Sequence, residues 1–428
     1  MELRAIDDQV HNERLTGSRS EHFMQHSLWG DVKSKFGWEK IVLGLFDGDK
    51  EDTLKGSVLL LKQKLPKIKR YHYYAPRGFV IDYEDTKLMK EFVKLLRYYV
   101  KQNRGISLTV DPDFPALAHN ENGRIQVDAF VENMESLGFR HGGYNMNFEK
   151  VQPRFSFRLG LKDGEDAVYN RFDRFCKKAI QQSADNGIRV YKSDDIETLH
   201  EIMRETALRD KIIEYNLDYY RSVYETLVPA GMCDIWFAEY DPGRHLEAIG
   251  GLMRLADDEI AACEARIASK DTAKARTALL QATQKRERLD GLAETAKDYV
   301  KRYPNGIVLS CGLNINTANR GWTVFGGSRA VLREMNANYA ITWAAIQEYC
   351  ERGIEWVDFF GTTGEPGEEN PLNGIHRFKK GFSGEFIEFP GEFSLVVSRF
   401  WNWAWNRVYK KLVWWYQGWV IRRRQRQK

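Results

Sequence analysis

DIWFAEY, from Asp234 to Tyr240, is a run rich in aromatic and apolar residues, and SLTVD, from Ser107 to Asp111, is a shorter run of the same kind. Both are typical of β-strands, and amphipathic stretches with helical periodicity separate them from their neighbours. Because this alternation of strand-like and helix-like segments recurs twice along the chain, it predicts two α/β units. The expected fold class is therefore α/β (α+β).

The boundary between the two units is predicted near residue 150. The turn-rich HGGYN at His141–Asn145 precedes EKVQPRFSFRLGL, which carries a proline and starts a new strand pattern. The first unit is therefore expected over residues 1–150 and the second over residues 151–384. A chain of 428 residues exceeds the usual size of one hydrophobic core, and its apolar content of 43% is ample for two.

An inserted helical hairpin is predicted over residues 257–302. The composition there changes to Ala, Lys, Glu, Arg, Leu and Gln, without proline and with Gly291 as the one glycine. The first helix is expected to end near Ser269, and Asp271 or Thr272 is expected to cap the second. The segment GGLMRLA before the insertion is interpreted as a strand that resumes at IVLSCGL.

Net charge, cysteine content and the lack of long apolar segments indicate which ligands and which cellular compartment the protein suits. The net charge is +4, from 64 basic and 60 acidic residues, so any affinity for polyanions must come from local patches. The five cysteines show neither CxxC pairing nor zinc-ligand spacing, which fits a reducing cytosol. The polar amino terminus lacks the apolar core of a secretory signal, and no window holds about 18 uninterrupted apolar residues. We expect a cytoplasmic protein without a membrane span or a metal site.

The carboxyl-terminal stretch SRFWNWAWNRVYKKLVWWYQGWVIRRRQRQK holds half of the 12 tryptophans. Tryptophan and basic residues favour the bilayer interface, where indole rings lie between hydrocarbon and water and cations meet anionic head groups. The pattern favours peripheral contact with the inner face of the plasma membrane, and a terminal helix packed on the first unit is the alternative. The residues expected to contact membrane or nucleic acid here are Trp414, Trp415, Arg422, Arg423 and Arg424.

Short motifs follow one another in a fixed order along nearly the whole chain. They are FMQHSLWGDVKSKFGWE (23–39), YYAPRGFVID (73–82), VDPDF (110–114), LGFRHGG (137–143), QPRFSFRLGL (152–161), WTVFGGS (322–328), NYAITWAAIQEYCERGIEWVDFFGTTG (338–364) and HRFKKGFSGEFIEFPGEF (376–393). In number, order and spacing they resemble the Fem aminoacyltransferases, which build the interpeptide bridges of bacterial cell walls.

The resemblance implies two GNAT-like acyltransferase domains. It also implies that a carboxyl-terminal segment, from about residue 385 to 428, returns to the first domain. The hairpin looks like the antiparallel coiled-coil insert of Fem members that act on lipid-linked precursors. Whether it only decorates the domain or is an arm that binds tRNA or a partner stays open.

The function implied by the resemblance is non-ribosomal peptide-bond formation. An amino acid would move from aminoacyl-tRNA to the stem peptide or growing bridge of a peptidoglycan precursor, either lipid II or the UDP-linked pentapeptide. Because the ester is already activated, the protein needs to align the substrates, let the amine lose its proton and stabilise an oxyanion. That chemistry requires neither a metal nor a cofactor, and related bridge-forming aminoacyltransferases are candidate partners.

Two residues are predicted to act at the reacting centre. Lys379, within RFKKGF, aligns with a family lysine that could stabilise the oxyanion, although an exposed lysine on a strand-forming basic segment is the alternative. Asp111 stands at a strand end, where it could bind the attacking amine or take its proton. An Asx-type turn before Pro112 would explain Asp111 without function. Arg377 and Lys380 suit the phosphates of the tRNA acceptor stem.

A precursor-binding groove is predicted around Lys33, which aligns with the family lysine that holds the precursor's phosphates. A solvated helix lysine is the alternative. In simpler relatives an arginine lies four residues before a tyrosine and assists at the phosphates. The corresponding positions here are Tyr215 and Tyr219, so that arginine is missing. Either Arg209, Lys211 or another cation is expected to substitute for it, or the lipid-linked substrate lies differently. The other residues predicted to line the groove are Arg77, Phe325 and Phe378, although turns or a bulge explain the first two without function.

Two other functions stay open. An acyl-CoA-dependent N-acyltransferase would share the GNAT fold. Such enzymes usually have a pyrophosphate-binding loop with the pattern (Gln/Arg)-x-x-Gly-x-(Gly/Ala), and this pattern is not evident in either unit. The most similar stretch, RLTGSR at Arg14–Arg19, has Arg at the last position, where the pattern requires Gly or Ala. A non-catalytic scaffold that binds tRNA or membrane through the hairpin and the aromatic tail is the second alternative.

Overall fold

The computed structural model describes residues 1–48, 53–66, 68–148, 152–210, 214–404 and 407. Two β-sheets, helices packed on them and a long helical hairpin form the structure, which confirms the expected α/β fold class. The strands are β1 (Glu2–Ala5), β2 (Trp38–Phe46), β3 (Leu54–Lys64), β4 (Tyr71–Ala75), β5 (Gly105–Val110), β6 (Ala116–Leu117), β7 (Arg140–His141), β8 (Phe155–Gly160), β9 (Ile188–Lys192), β10 (Cys233–Tyr240), β11 (Ile307–Asn316), β12 (Arg320–Ser328), β13 (Trp356–Asp358), β14 (Glu385–Glu388) and β15 (Phe393–Val396).

The helices pack on these sheets, apart from two that form the hairpin. They are α1 (Asp8–Leu15), α2 (Ser27–Ser34), α3 (Thr86–Gln102), α4 (Glu121–Ser136), α5 (Glu165–Arg171), α6 (Arg174–Asp185), α7 (Ile196–Asp210), α8 (Leu217–Leu227), α9 (Pro242–Ser269), α10 (Ala273–Arg302), α11 (Ala337–Glu351), α12 (Asn373–Gly381) and α13 (Arg399–Ala404).

The first sheet has seven strands in the order β1-β2-β3-β4-β5-β15-β7. Helices α3 and α4 pack into its core because apolar residues of α3 recur every fourth position, as Leu88, Phe92 and Leu96 do. Phe130 of α4 and Leu108 of β5 belong to the same buried cluster. Strand β15 lies between β5 and β7, so the chain returns to this sheet after completing the second one.

The second sheet has eight strands in the order β6-β14-β8-β13-β12-β11-β10-β9. Strand β6, from the amino-terminal part of the chain, pairs with β14 at its edge. The strand at Glu385–Glu388 belongs to this second sheet, and the return to the first sheet begins at Phe393. Each sheet therefore holds a strand from the other part of the chain, which ties the two units together.

The hairpin of α9 and α10 connects the adjacent antiparallel strands β10 and β11. Helix α9 starts at Pro242, so GGLMRLA is helical and its interpretation as an interrupted strand is wrong. Pro242 occupies the first turn, where its missing N–H costs nothing, and the Asp241 carboxylate caps the helix by accepting the Arg244 N–H at 3.0 Å.

The predicted turn of the hairpin is confirmed. Helix α9 ends at Ser269, and the Thr272 hydroxyl accepts the Ala275 N–H at 3.2 Å, which caps α10. The hairpin thus spans residues 242–302, a longer arm than the composition alone indicated.

Candidate active site

Each sheet contains a parallel strand pair, and we call the place where the pairing stops, at the carboxyl ends of the strands, the strand opening. In the first sheet the β4–β5 register ends at Ala75 and Val110, and in the second the β12–β13 register ends at Trp322 and Asp358. Beyond that point β12 continues to Ser328 against β11, whereas β13 stops. The loops that follow these strand ends are therefore free to place side chains at the openings.

Asp111 directly follows β5 at the first of these openings and is buried. Its Oδ1 accepts the Arg77 N–H at 2.8 Å, and its Oδ2 accepts the Tyr74 hydroxyl at 2.9 Å. These partners come from β4 and the turn after it, so an Asx-type turn is not what holds the side chain. Burial raises the pKa of Asp111 to about 6, against the lowering effect of the Arg77 guanidinium. A carboxyl with this pKa can exchange a proton near neutral pH.

Replacement of Asp111 by Asn is expected to stabilise the fold more at about pH 8 than at about pH 5. The pKa of Asp111 in the folded state, about 6, exceeds its ordinary value of 3.8. Between these two pH values the folded protein keeps the Asp111 proton whereas the unfolded chain has lost it, so the free energy of unfolding of the wild-type protein falls as the pH rises. Above pH 6 the buried, ionised carboxylate lowers that free energy by about 3 kcal/mol. Thermal unfolding of both proteins at the two pH values measures the difference. A stability difference that does not change with pH would contradict the expectation.

Lys379 lies in helix α12, so the strand context considered for it is wrong. Only 8% of the residue is exposed, whereas its neighbours Arg377 and Lys380 are exposed. Its Nζ donates to the Phe360 carbonyl at 3.0 Å and to the Gly361 carbonyl at 2.6 Å. Burial lowers the pKa of Lys379 to about 7. The amine is therefore held against the loop after β13 and is close to its titration point at neutral pH.

Asp358 shapes the turn that receives Lys379. Its Oδ1 accepts the Phe360 N–H at 2.7 Å and also the Ser156 hydroxyl. Phe360 has a φ of +59°, a left-handed conformation that costs a non-glycine residue roughly 1 kcal/mol or more. The Asp358 carboxylate thus stabilises the strained backbone that presents two carbonyls to the lysine. Sequence analysis missed Asp358, although an aspartate at a strand end is the same signal that pointed to Asp111.

Lys33 lies in the last turn of α2 and reaches from the first unit to the second. Its Nζ donates to the Tyr219 hydroxyl at 3.2 Å and lies 5.2 Å and 5.0 Å from the ring centroids of Trp29 and Tyr219. Burial lowers the pKa of Lys33 to about 8. Lys33 is therefore a half-buried cation against aromatic rings and not a solvated helix lysine.

Two further groove candidates, Tyr215 and Phe325, lie against Tyr219, the hydrogen-bond partner of Lys33. Tyr215 stacks on Tyr219 with ring centroids 4.4 Å apart, and Phe325 meets these two rings edge-on at 5.7 Å and 6.2 Å. Phe325 lies on the part of β12 that extends past β13, so this cluster borders the opening of the second sheet. Arg209 is bound to Asp210 and to the Ser328 carbonyl at 2.6 Å. The other expected substitute, Lys211, lies outside the described residues.

The FemAB family matches this chain over residues 6–410. The chain belongs to the FemAB family. It is 24% identical over 410 residues to the lipid II:glycine glycyltransferase of Staphylococcus aureus strain MRSA252, with 93% of this chain and 94% of that protein covered. The corresponding protein of strain Mu50 is 23% identical with the same coverage. The crystal structure of FemX matches at a TM-score of 0.75 and 23% identity, covering 92% of this chain and 97% of FemX, so the two share a fold.

Two other groove candidates of this FemAB chain lie in packed surroundings. Arg77 is buried with a φ of +54°, its guanidinium lies 4.2 Å from the ring centroid of Phe389, and its Nη2 donates to the Pro153 carbonyl at 3.0 Å. Phe378 packs edge-on against Tyr339 with centroids 4.8 Å apart. Their direct contact with a substrate stays a prediction, and so do the roles of Trp414, Trp415 and Arg422–Arg424, which lie outside the described part of the FemAB chain.

A cleft of about 520 Å³ opens elsewhere on the FemAB fold, between the amino-terminal segment and one end of the second unit. Glu21, His26, Asn316 and Arg352 are among the residues that line it. None of the residues predicted for the reaction contributes to it. Because Lys33, Asp111 and Lys379, the residues predicted for the reaction, lie away from this cleft, we place the candidate site at the strand openings.

Proposed function

We propose that this FemAB protein is an aminoacyltransferase of peptidoglycan bridge synthesis that adds an amino acid to lipid II, with aminoacyl-tRNA as donor. The observation that carries the proposal is the position of Asp111 and Lys379, each buried beside the opening of a parallel strand pair in one of the two units. Relatives named lipid II:glycine glycyltransferase support the acceptor and the reaction class. The aminoacyl-tRNA donor rests on the resemblance to the Fem aminoacyltransferases.

The proposed reaction assigns one task to each polar side chain. The amine nitrogen of the acceptor attacks the ester carbonyl carbon, and the Asp111 carboxylate takes the proton that the amine loses. The protonated Lys379 amine stabilises the oxyanion that forms. The oxyanion then collapses and the carbon–oxygen ester bond breaks, and the ribose oxygen leaves as a hydroxyl with the proton that Asp111 had taken from the amine. Lys33 holds the diphosphate of the acceptor away from the reacting atoms.

A transfer assay tests the proposal. The purified full chain is incubated with lipid II and each radiolabelled aminoacyl-tRNA in turn, beginning with glycyl-tRNA, and parallel reactions contain UDP-linked pentapeptide or labelled acetyl-CoA. We expect label on lipid II from aminoacyl-tRNA. Label from acetyl-CoA alone would assign the protein to acyl-CoA-dependent chemistry, and binding of both substrates without transfer would favour a scaffold.

We also propose that the protein contacts the inner face of the plasma membrane, where lipid II carries its head group. The supporting residues are exposed aromatics of α13, since Phe400 is 65% exposed and Trp403 is 55% exposed. The Arg70 guanidinium lies 5.7 Å from the ring centroid of Trp401, so cationic and aromatic groups adjoin on this side. Among the helices described, none is both long and apolar enough to cross a bilayer.

Replacing Phe400 and Trp403 together by Ser is expected to lower co-sedimentation with phosphatidylglycerol vesicles about fivefold or more, because two aromatic side chains no longer enter the interface. The matched control is Leu255→Ser, which removes an exposed apolar side chain from the hairpin. Equal co-sedimentation of the double variant and the wild-type protein would refute membrane contact through α13.

A further inference from the structure

Arg158 of β8 is a buried arginine with two carboxylate partners. Its Nη2 donates to Asp113 Oδ1 at 2.7 Å, and its Nε donates to Asp358 Oδ2 at 2.8 Å. The side-chain exposures are 13% for the arginine, 1% for Asp113 and 4% for Asp358. The Trp356 ring lies 4.3 Å from the guanidinium carbon. Charge-assisted hydrogen bonds shielded from water in this way are strong and restrict geometry tightly.

Asp113 belongs to the loop that carries Asp111. The Asp113 N–H donates to the Arg77 carbonyl at 3.3 Å, and the Arg77 N–H in turn donates to Asp111. The second oxygen of Asp113 has no hydrogen-bond partner among the described residues, so the hydrogen bond from Arg158 to the first oxygen is what holds this side chain. Displacement of Arg158 would therefore loosen this loop of the first unit.

Asp358 belongs to the turn that receives Lys379. The same carboxylate that accepts from Arg158 also accepts the Phe360 N–H, and the Phe360 carbonyl accepts from the Lys379 amine. Asp358 is the nearby charge that favours the protonated form of Lys379. One guanidinium is thus hydrogen-bonded both to the loop that carries Asp111 and to the turn that receives Lys379.

We infer that Arg158 is a positioning residue that fixes the Asp111 loop of the first unit against the Lys379 turn of the second. Its effect on turnover rests on the proposed function, whereas the coupling of loop and turn rests on the hydrogen bonds alone. Arginine suits this place because its planar fork donates in two fixed directions from separate nitrogens. A lysine offers one compact charge on a flexible stem and cannot reproduce that geometry.

The test compares Arg158→Lys with Arg171→Lys, which alters a solvent-exposed arginine paired with Asp163 and serves as the matched control. We expect Arg158→Lys to lower kcat for transfer about 10- to 100-fold with KM for lipid II within about threefold, because misplacement by about 1 Å costs that much in rate. The control should match the wild-type protein. Thermal unfolding of both variants checks that they fold.

The titration of Lys379 gives a second readout that needs no turnover. NMR of protein labelled with [ε-¹³C]lysine follows the pKa of Lys379, with Lys379→Met to assign the signal. Arg158→Lys should raise that pKa toward its ordinary value by about half a unit or more, since a loosened turn admits water. Asp358→Asn should lower it, because the attraction of the Asp358 carboxylate is lost and the neighbouring groups His376 and Lys380 are basic and supply none.

An unchanged Lys379 titration in Arg158→Lys overturns the inference, whatever happens to turnover or stability. If the titration shifts as expected but the wild-type protein transfers no amino acid, the coupling stands and the proposed function fails. A shifted titration together with a lower kcat supports both.

Discussion

Replacing Lys379 by Met is expected to lower kcat for transfer about 100- to 1000-fold while the affinity for lipid II changes little, because a donor to the oxyanion acts mainly in the transition state. The amine is buried and bonded to the carbonyls of Phe360 and Gly361. Methionine keeps a similar length and volume, so the change removes the charge and the donors with little effect on packing. Single-turnover rates at saturating lipid II measure the loss.

Lys380→Met is the matched control, since this neighbour in the same helix is exposed. It should keep transfer at the wild-type rate and at most weaken binding of tRNA phosphates. An unaffected rate in Lys379→Met, or an equal loss in the two variants, would remove Lys379 from the reaction.

Replacing Lys33 by Met is expected to weaken binding of lipid II about 10- to 100-fold while kcat at saturation is largely kept. A charge-assisted hydrogen bond to phosphate contributes about 1.5–3 kcal/mol. In the part of the chain that the structure describes, Lys33 makes no ion pair, and its neighbours are the rings of Trp29 and Tyr219. Its charge is therefore available to an anionic ligand. Equilibrium binding of lipid II and the KM for transfer measure the effect.

Lys35→Met is the control for Lys33, because Lys35 directly follows the same helix and is exposed. The Lys33 variant should also lose discrimination between lipid II and an analogue that carries a single phosphate. A normal KM with a reduced kcat would assign Lys33 to the chemical step and reverse the two lysines' roles.

Local patterns were sufficient to predict the parts of the fold that depend on local interactions. The strand character of residues 107–110 and 234–240 follows from side-chain periodicity, and the hairpin turn between Ser269 and Thr272 follows from a capping hydroxyl. GGLMRLA was misassigned because a short apolar run fits a strand and a helix equally. Asp241 and Pro242, a capping carboxylate and a proline of the first turn, were the signals that mark the true start.

By itself, the sequence determined the two α/β units, the family, and Lys33, Asp111 and Lys379 as the residues to examine. Only the tertiary structure decided that Lys379 is buried while Lys380 is exposed, and that Arg158 binds Asp113 and Asp358. Arg158 and Asp358 are 200 residues apart in the chain, and no local propensity records which strand ends come together in space. Such a partnership arises because burial of charge forces each guanidinium and carboxylate to find the partner that the folded sheets place beside it.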